Sequence, residues 1–253
     1  MIDSSNTRKI IEILRALGDD RKIIVNPIEA LSGYKNQALA ALVETRYEIR
    51  IYIDFSYPNY QQEASYIHEL LHVLCTLEGY PNVILNKRYK KIIGSRNLDL
   101  AEGLRNDLWT AIQHPYVYTK EINDYDLKID EVFNEIVNQK KRRFNNRKSE
   151  TDDFQLRFLA QQDILMGLEY FNYPEEHRKQ IMKIYEKLDL SSFNECIELH
   201  KKLNFDTQES ALKSGKIILE FLKEYGRKND IARVNTFWNL LEVTYQRPHL
   251  LFT

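Results

Sequence analysis

The sequence contains few of the residues that build disulfide scaffolds, loops or membrane spans. Its 253 residues include 2 cysteines, 8 glycines and 6 prolines. Two cysteines cannot form a disulfide framework or a four-cysteine zinc site. No apolar run approaches the roughly 20 residues of a transmembrane helix, and the N-terminus lacks the basic-then-apolar order of a signal peptide. We therefore expect a cytoplasmic protein with reduced thiols and no membrane partner.

The chain also lacks an excess of charge of either sign. It has 36 Lys and Arg residues against 37 Asp and Glu residues, a formal net charge of -1. This balance argues against a dedicated nucleic-acid binder, so no nucleic-acid partner is expected. The strongest basic stretch, residues 140–148, lies beside the acidic residues 150–153 and is interpreted as a solvated helix end. Nucleic-acid binding through this stretch is kept as a third hypothesis.

Scarce glycine and proline beside many helix-forming residues predict an α+β protein that is predominantly helical. We expect a mixed N-terminal domain over 1–120 and an all-α domain over 121–253. In the first, a helix over 5–17 precedes a short apolar run at 22–26, and residues 37–43 and 47–55 are predicted to form an antiparallel hairpin because the second run alternates between apolar and polar residues. In the second, helices are predicted at 127–145, 152–171, 174–188, 191–202, 207–225 and 230–246.

Two further helices are predicted in the N-terminal domain. The first covers residues 61–78, where Gly79 and Pro81 end the helical pattern. The second covers Asp99 to about Gln113, and Pro115 is expected to end it.

The first of these helices contains the motif His68-Glu69-Leu70-Leu71-His72, an instance of H-E-x-x-H. Residues four apart lie on one face of a helix, so two imidazoles can bind one Zn²⁺ at about 2.0–2.1 Å. Glu69 is about 100° round the helix from His68. From there its carboxylate can accept a proton from an attacking water and deliver it to the leaving amine. The motif therefore predicts a zinc site with Glu69 as general base.

This arrangement over about residues 5–114 resembles the zincin superfamily of metallopeptidases, although no specific family is identified. The resemblance implies a small sheet before the motif helix, with an edge strand that binds an extended peptide substrate by β-addition. That strand would be Tyr47–Phe55. It also implies a third protein ligand and one open position on the metal.

The third ligand is expected to be Glu102, as in gluzincins, where a glutamate from a later helix binds the metal. The segment around Glu102 loosely resembles the thermolysin-type N-E-x-x-S-D pattern, with Asn106 in place of its aspartate. Asp99 and Asp107 are competing ligands. His114 is predicted to stabilise the oxyanion. Two other interpretations of His114 remain open, a third ligand or a histidine that favours the C-terminal end of a helix.

Two functions follow from these residues. The first is a zinc-dependent metallopeptidase that makes limited, regulatory cuts in a cytoplasmic protein or peptide substrate, with His68, His72 and Glu102 as ligands. The second is a non-catalytic interaction module that keeps a zincin-like fold or a structural metal. A closed four-ligand site that includes Cys75 would favour the second, since a structural zinc has no open position.

Overall fold

The computed structural model describes residues 4–31, 39–86, 94–125, 164–165, 167–186, 191–228 and 237–245, together with positions 127, 134, 137, 138 and 141. The protein is mostly helical with a small mixed sheet, in agreement with the predicted α+β class. Most of the predicted helices at 127–145 and 152–171, and the basic stretch 140–148 apart from Lys141, lie outside the described residues.

The elements follow one another along the chain in this order: α1 (Ser5–Ala16), β1 (Lys22–Pro27), a 3₁₀ turn (Ile28–Ala30), β2 (Ala40–Glu44), β3 (Glu48–Ile53), α2 (Asn59–Leu77), β4 (Asn82–Leu85), α3 (Gly94–Asp124), a 3₁₀ turn (Tyr170–Asn172), α4 (Glu175–Glu186), α5 (Ser191–His200), α6 (Gln208–Lys228) and β5 (Leu241–Thr244).

The first sheet confirms the predicted hairpin but corrects the position of its second strand. Strands β2 and β3 pair antiparallel, and β1 pairs parallel with the other side of β3. The order is therefore β1-β3-β2, so the sheet is mixed rather than antiparallel and β3 is its central strand. The expectation that Tyr47–Phe55 forms a substrate-binding edge was wrong. Within the described residues, β2 pairs with β3 alone and provides an antiparallel edge.

The alternation of β3 decides which face it buries. Ile49, Ile51 and Ile53 are each at most 1% exposed, whereas Arg50 between them is exposed. Successive strand residues point to opposite faces, so the three isoleucines give strand β3 one apolar face. The chain then turns after Asp54, whose Oδ1 accepts hydrogen bonds from the amide and hydroxyl of Ser56 before α2 begins.

Helix α2 has the predicted position and end. It runs from Asn59 to Leu77, and Gly79 adopts a φ of +88° just beyond it. Glycine tolerates this left-handed conformation, and its amide donates to the carbonyl of Thr76. Every residue from Ser65 to Thr76 except His68 is buried. The motif helix is therefore a buried element, which holds its polar side chains in fixed surroundings.

Helix α3 is longer than the sequence predicts. It extends from Gly94 to Asp124, and Pro115 lies inside it instead of ending it. A proline in a helix interior lacks the N–H that would bond to the carbonyl four residues earlier, here that of Ala111. The helix accommodates this lost bond, so His114 occupies the middle of α3. Its interpretation as a histidine at a helix C-terminus was wrong.

The second sheet joins two distant segments of the chain. Strands β4 and β5 pair antiparallel, with Val83 opposite Val243. The predicted helix at 230–246 is corrected over Leu241–Thr244, which form a strand, and the C-terminal part is not all-α; residues 230–236 lie outside the described residues. The predictions at 174–188, 191–202 and 207–225 are confirmed by α4, α5 and α6.

The chain divides into two compact units that are discontinuous in sequence. The described parts of Met1–Gly79 and Val117–Gln139 belong to one, and those of Tyr80–Tyr116 and Lys140–Gln246 to the other. The predicted division instead placed one boundary near residue 120. The second unit has an apolar core with Trp238, Phe237 and Leu222 at its centre.

None of the helices in the described ranges is both long enough and apolar enough to cross a membrane.

Candidate metal centre

The histidines of the motif lie one helical turn apart on α2. His72 is 2% exposed, whereas the side chain of His68 is 21% exposed. Their rings meet edge to face, with centroids 4.9 Å apart, and the two Nε2 atoms are separated by 3.3 Å. The pair therefore has one partly accessible member and one buried member, with the Nε2 atoms of the two rings in close proximity.

A buried carboxylate fixes the orientation of His68. Glu121 on α3 is 4% exposed, and its Oε1 lies 3.0 Å from Nδ1 of His68. A carboxylate accepts the proton of Nδ1, which puts the lone pair of the neutral ring on Nε2, the atom that a cation would bind. Tyr118, one turn before Glu121, lies with its ring centroid 5.7 Å from that of His68. Helix α3 therefore contacts the first motif histidine through two side chains.

The spacing of the two nitrogens fits a zinc ion. Nitrogens at about 2.0–2.1 Å from a tetrahedral Zn²⁺ lie about 3.3–3.4 Å apart. The observed separation of the Nε2 atoms of His68 and His72 is 3.3 Å. Two lone pairs at this distance repel each other unless a proton or a cation lies between them, and imidazole is a preferred zinc ligand. The residues present thus fit the metal that the motif predicts.

His114 joins the motif histidines in a group of three. Each of the three offers one ring nitrogen, and these nitrogens lie within 4.8 Å of one another. His114 is 8% exposed. It lies on the same unbroken helix as Glu121, seven residues earlier, and residues seven apart in a helix point in nearly the same direction. One face of α3 thus bears a candidate ligand and, two turns later, the carboxylate that orients another.

The sequence also names three carboxylates, Glu102, Asp99 and Asp107, as candidates for the third ligand. The carboxylate of Glu102 accepts a hydrogen bond from Nε of Arg105 at 2.7 Å, and its side chain is 37% exposed. Neither Glu102 nor Asp107 belongs to the group of three. The side chain of Asp99 lies outside the described residues. Glu102 therefore stays a prediction from the sequence, whereas His114 belongs to the group of histidines that could hold a metal ion.

Cys75 is also absent from the group found in the described residues. It is fully buried, and burial raises the pKa of its thiol well above the usual value, with Glu78 adding to the rise. A thiol ligand must ionise to bind zinc. The surroundings of Cys75 favour a neutral thiol, which suits a small apolar core residue.

Glu69 has the surroundings of a general base. It is 8% exposed, and burial raises the pKa of its carboxyl group to about 7. His68 lowers this pKa and the neighbouring carboxylate of Glu121 raises it. A general base is most effective when its pKa lies near the working pH. Burial therefore brings the pKa of the motif glutamate close to neutral pH, which suits proton transfer there.

Glu121 is the site residue that the sequence analysis missed. Its signal is present in the sequence, because His114, Tyr118 and Glu121 follow one another at spacings of four and three residues, which place side chains on one helix face. The pattern is visible only if the helix continues past Pro115. Because Pro115 was expected to end the helix, Glu121 was not placed on the same helix face as His114.

Comparison with protein-family models, with curated proteins and with solved structures finds no match for this chain.

Proposed function

We propose that the protein is a zinc-dependent metallopeptidase of zincin type, with His68, His72 and His114 as metal ligands and Glu69 as general base. The observation that carries the proposal is the 3.3 Å separation of the two Nε2 atoms, with Glu121 on Nδ1 of His68. A zinc ion bound there would lower the pKa of a water towards 7 and polarise the carbonyl group of the scissile peptide bond.

The chain's own residues supply the proton transfers. The Glu69 carboxylate accepts a proton from the attacking water and delivers it to the nitrogen of the leaving amine. Its raised pKa, about 7, suits both steps at neutral pH. Glu121 keeps the proton of His68 on Nδ1 and so holds Nε2 ready to bind the metal. The oxyanion role predicted for His114 is replaced in this proposal by its role as third ligand.

Three observations favour a catalytic site over a structural one. The group in the described residues contains three histidines, which would leave one position of a four-coordinate zinc open. His68 is partly exposed, so one side of the site is accessible. A carboxylate with a raised pKa lies next to the ligands, as catalysis requires and a structural site does not. We therefore prefer the peptidase to the interaction module.

The substrate is proposed to be an extended polypeptide that pairs with β2. This strand, Ala40–Glu44, is at an edge of the first sheet and runs antiparallel to β3. An extended peptide can form main-chain hydrogen bonds with such an edge. This replaces the expected role of Tyr47–Phe55, whose strand has a partner on both sides.

Metal analysis and cleavage of a degenerate peptide library, with products identified by mass spectrometry, test the proposal. Wild-type protein should bind one zinc and cleave peptides. Glu69→Gln should keep the zinc and lose cleavage by about 10²-fold or more. Glu63→Gln, on the same helix, is the matched control and should cleave normally. A wild-type protein that binds no zinc contradicts the proposal, and one that binds zinc but cleaves nothing favours the interaction module.

The same measurements decide the third ligand. His114→Ala should lose most of its zinc affinity, as should His68→Ala and His72→Ala. Glu102→Gln should retain zinc, because its carboxylate pairs with Arg105. The opposite result, with zinc lost from Glu102→Gln and kept by His114→Ala, would restore the assignment made from the sequence.

A further inference from the structure

Beside His114 lies a buried carboxylate that the proposed function does not use. Glu169 precedes the 3₁₀ turn Tyr170–Asn172 and is 9% exposed. Its Oε2 lies 4.0 Å from Nδ1 of His114. The hydroxyl of Tyr173, which is also buried, donates a hydrogen bond to the same oxygen at 3.2 Å. The three side chains therefore form a row in which Glu169 lies in the middle.

A carboxylate removed from water requires hydrogen bonds or an opposite charge to offset its desolvation. Tyr173 provides one hydrogen bond. The ring nitrogen Nδ1 of His114 is a second neighbour of the same oxygen, and at 4.0 Å it is about 1 Å beyond ordinary hydrogen-bond length.

The arrangement at His68 shows what a closed contact does. There Glu121 lies 3.0 Å from Nδ1, and the other ring nitrogen, Nε2, lies 3.3 Å from Nε2 of His72. Metal-binding histidines commonly donate their second N–H to a carboxylate or carbonyl, which fixes the tautomer and makes the ligand nitrogen more basic. Glu121 and Glu169 thus occupy equivalent places, each on the Nδ1 side of one candidate ligand.

We propose that Glu169 is a positioning residue for the third metal ligand, since it lies on the Nδ1 side of His114 and is held there by the hydroxyl of Tyr173. This inference rests on the proposed function, because it takes His114 as a ligand. When Nε2 of His114 binds the cation, Nδ1–H donates to Glu169 and the 4.0 Å gap closes. The polypeptide around residues 169–173 therefore contributes to metal binding as well as to packing.

Zinc affinity tests the role directly and does not depend on knowing a substrate. Affinity is measured by competition with a chromophoric chelator, and Co²⁺ absorption reports the geometry around the metal. Glu169→Gln should weaken zinc binding by about 10- to 100-fold and alter the Co²⁺ spectrum. Glu198→Gln is the matched control, because Glu198 is an exposed glutamate paired with Lys201. Its affinity and spectrum should equal those of the wild type.

Tyr173→Phe provides a second test that keeps the carboxylate. Loss of the hydroxyl leaves Glu169 less firmly held, so we expect a smaller loss of zinc affinity, about threefold, with the same direction of change in the Co²⁺ spectrum. If the wild type binds zinc and both variants bind it within twofold of the wild type, the positioning role is overturned and the metal site stands. If the wild type binds no zinc, both proposals are overturned together.

Discussion

At the scale of single residues, a group of buried charges stabilises the start of the first sheet. Asp19 is 5% exposed, and its Oδ2 forms an ion pair with Arg21 at 2.6 Å. Arg21 also reaches Glu44 at the end of β2, at 2.8 Å, and its Nη1 donates to the carbonyl of Thr45. One guanidinium therefore links the residues before β1 to the turn of the β2–β3 hairpin. Removing the charge of Asp19 would leave the guanidinium with Glu44 as its charged partner, so its charge would be compensated less well.

Asp19→Asn is expected to destabilise the protein by about 1–2 kcal/mol at pH 7, because Arg21 loses one charged partner and keeps Glu44. Burial by itself raises the pKa of the Asp19 carboxyl, but hydrogen bonds and charge from Arg21 outweigh it, so the pKa lies below the usual value. A lowered pKa stabilises the fold above the unfolded value, about 3.9, and this contribution is lost as the pH falls through the folded pKa.

The two proteins should therefore differ most in unfolding free energy above about pH 5 and converge below pH 4. Urea unfolding at pH 7, 5 and 3 measures this difference. Asp20→Asn, an exposed neighbour, should change stability by less than about 0.5 kcal/mol at each pH. A destabilisation by Asp19→Asn that does not change with pH would contradict the charged role.

At the scale of elements, close approach between helix α6 and its neighbours depends on one glycine. A Cβ added at Gly215 would lie 2.7 Å from Cδ1 of Ile112 on α3 and 2.8 Å from Cγ1 of Val243 on β5. These distances are shorter than carbon atoms tolerate without movement. Gly103 on α3 has no atom within 4 Å of the corresponding position.

The two glycines predict opposite effects of the same substitution. Gly215→Ala should destabilise the protein by about 1–3 kcal/mol because the added methyl overpacks the contact with α3 and β5. Gly103→Ala should stabilise it by about 0.5–1 kcal/mol because alanine is the better helix former. Denaturant unfolding of both variants measures the difference. Equal effects at the two positions would show that α6 does not pack as closely as described.

The elements also show how far the sequence could predict the fold. The hairpin, α2 and three of the C-terminal helices were predictable because alternation, helical spacing and end signals such as Gly79 are local. The central position of β3 in the sheet could not be predicted, because it depends on pairing with β1, which is distant in the sequence. The strand β5 was missed for the same reason, since Leu241–Thr244 has little strand signal without its partner β4.

The residues of the candidate site differ in how far the sequence could indicate them. His68, Glu69 and His72 form a motif within five residues, so their spacing alone predicts a metal site. His114 was also named, as an oxyanion residue with the third ligand as one alternative. Glu121 was missed because it lies beyond Pro115, where the helix was expected to end. A proline usually ends a helical pattern, and here tertiary packing overrides that preference.

At the scale of the whole molecule, the metal is expected to be part of the stability of the fold. The proposed ligands belong to two helices, α2 and α3, so an unfolded chain would not present them as one site. A ligand that binds only the folded state stabilises it by about 2.7 kcal/mol at a concentration 100-fold above its Kd. For a chain of this size that corresponds to a rise in Tm of about 5–10 °C.

Thermal unfolding with zinc, and with EDTA, measures this linkage. Wild type and Glu69→Gln should show the same rise with zinc, because the role proposed for Glu69 is proton transfer and not metal binding. For His72→Ala the Tm measured with zinc should equal the Tm measured with EDTA, because the substitution removes a proposed ligand nitrogen. The comparison separates metal binding from catalysis. If Glu69→Gln loses the rise while His72→Ala keeps it, Glu69 rather than His72 binds the metal, and the assignment of roles within the motif is wrong.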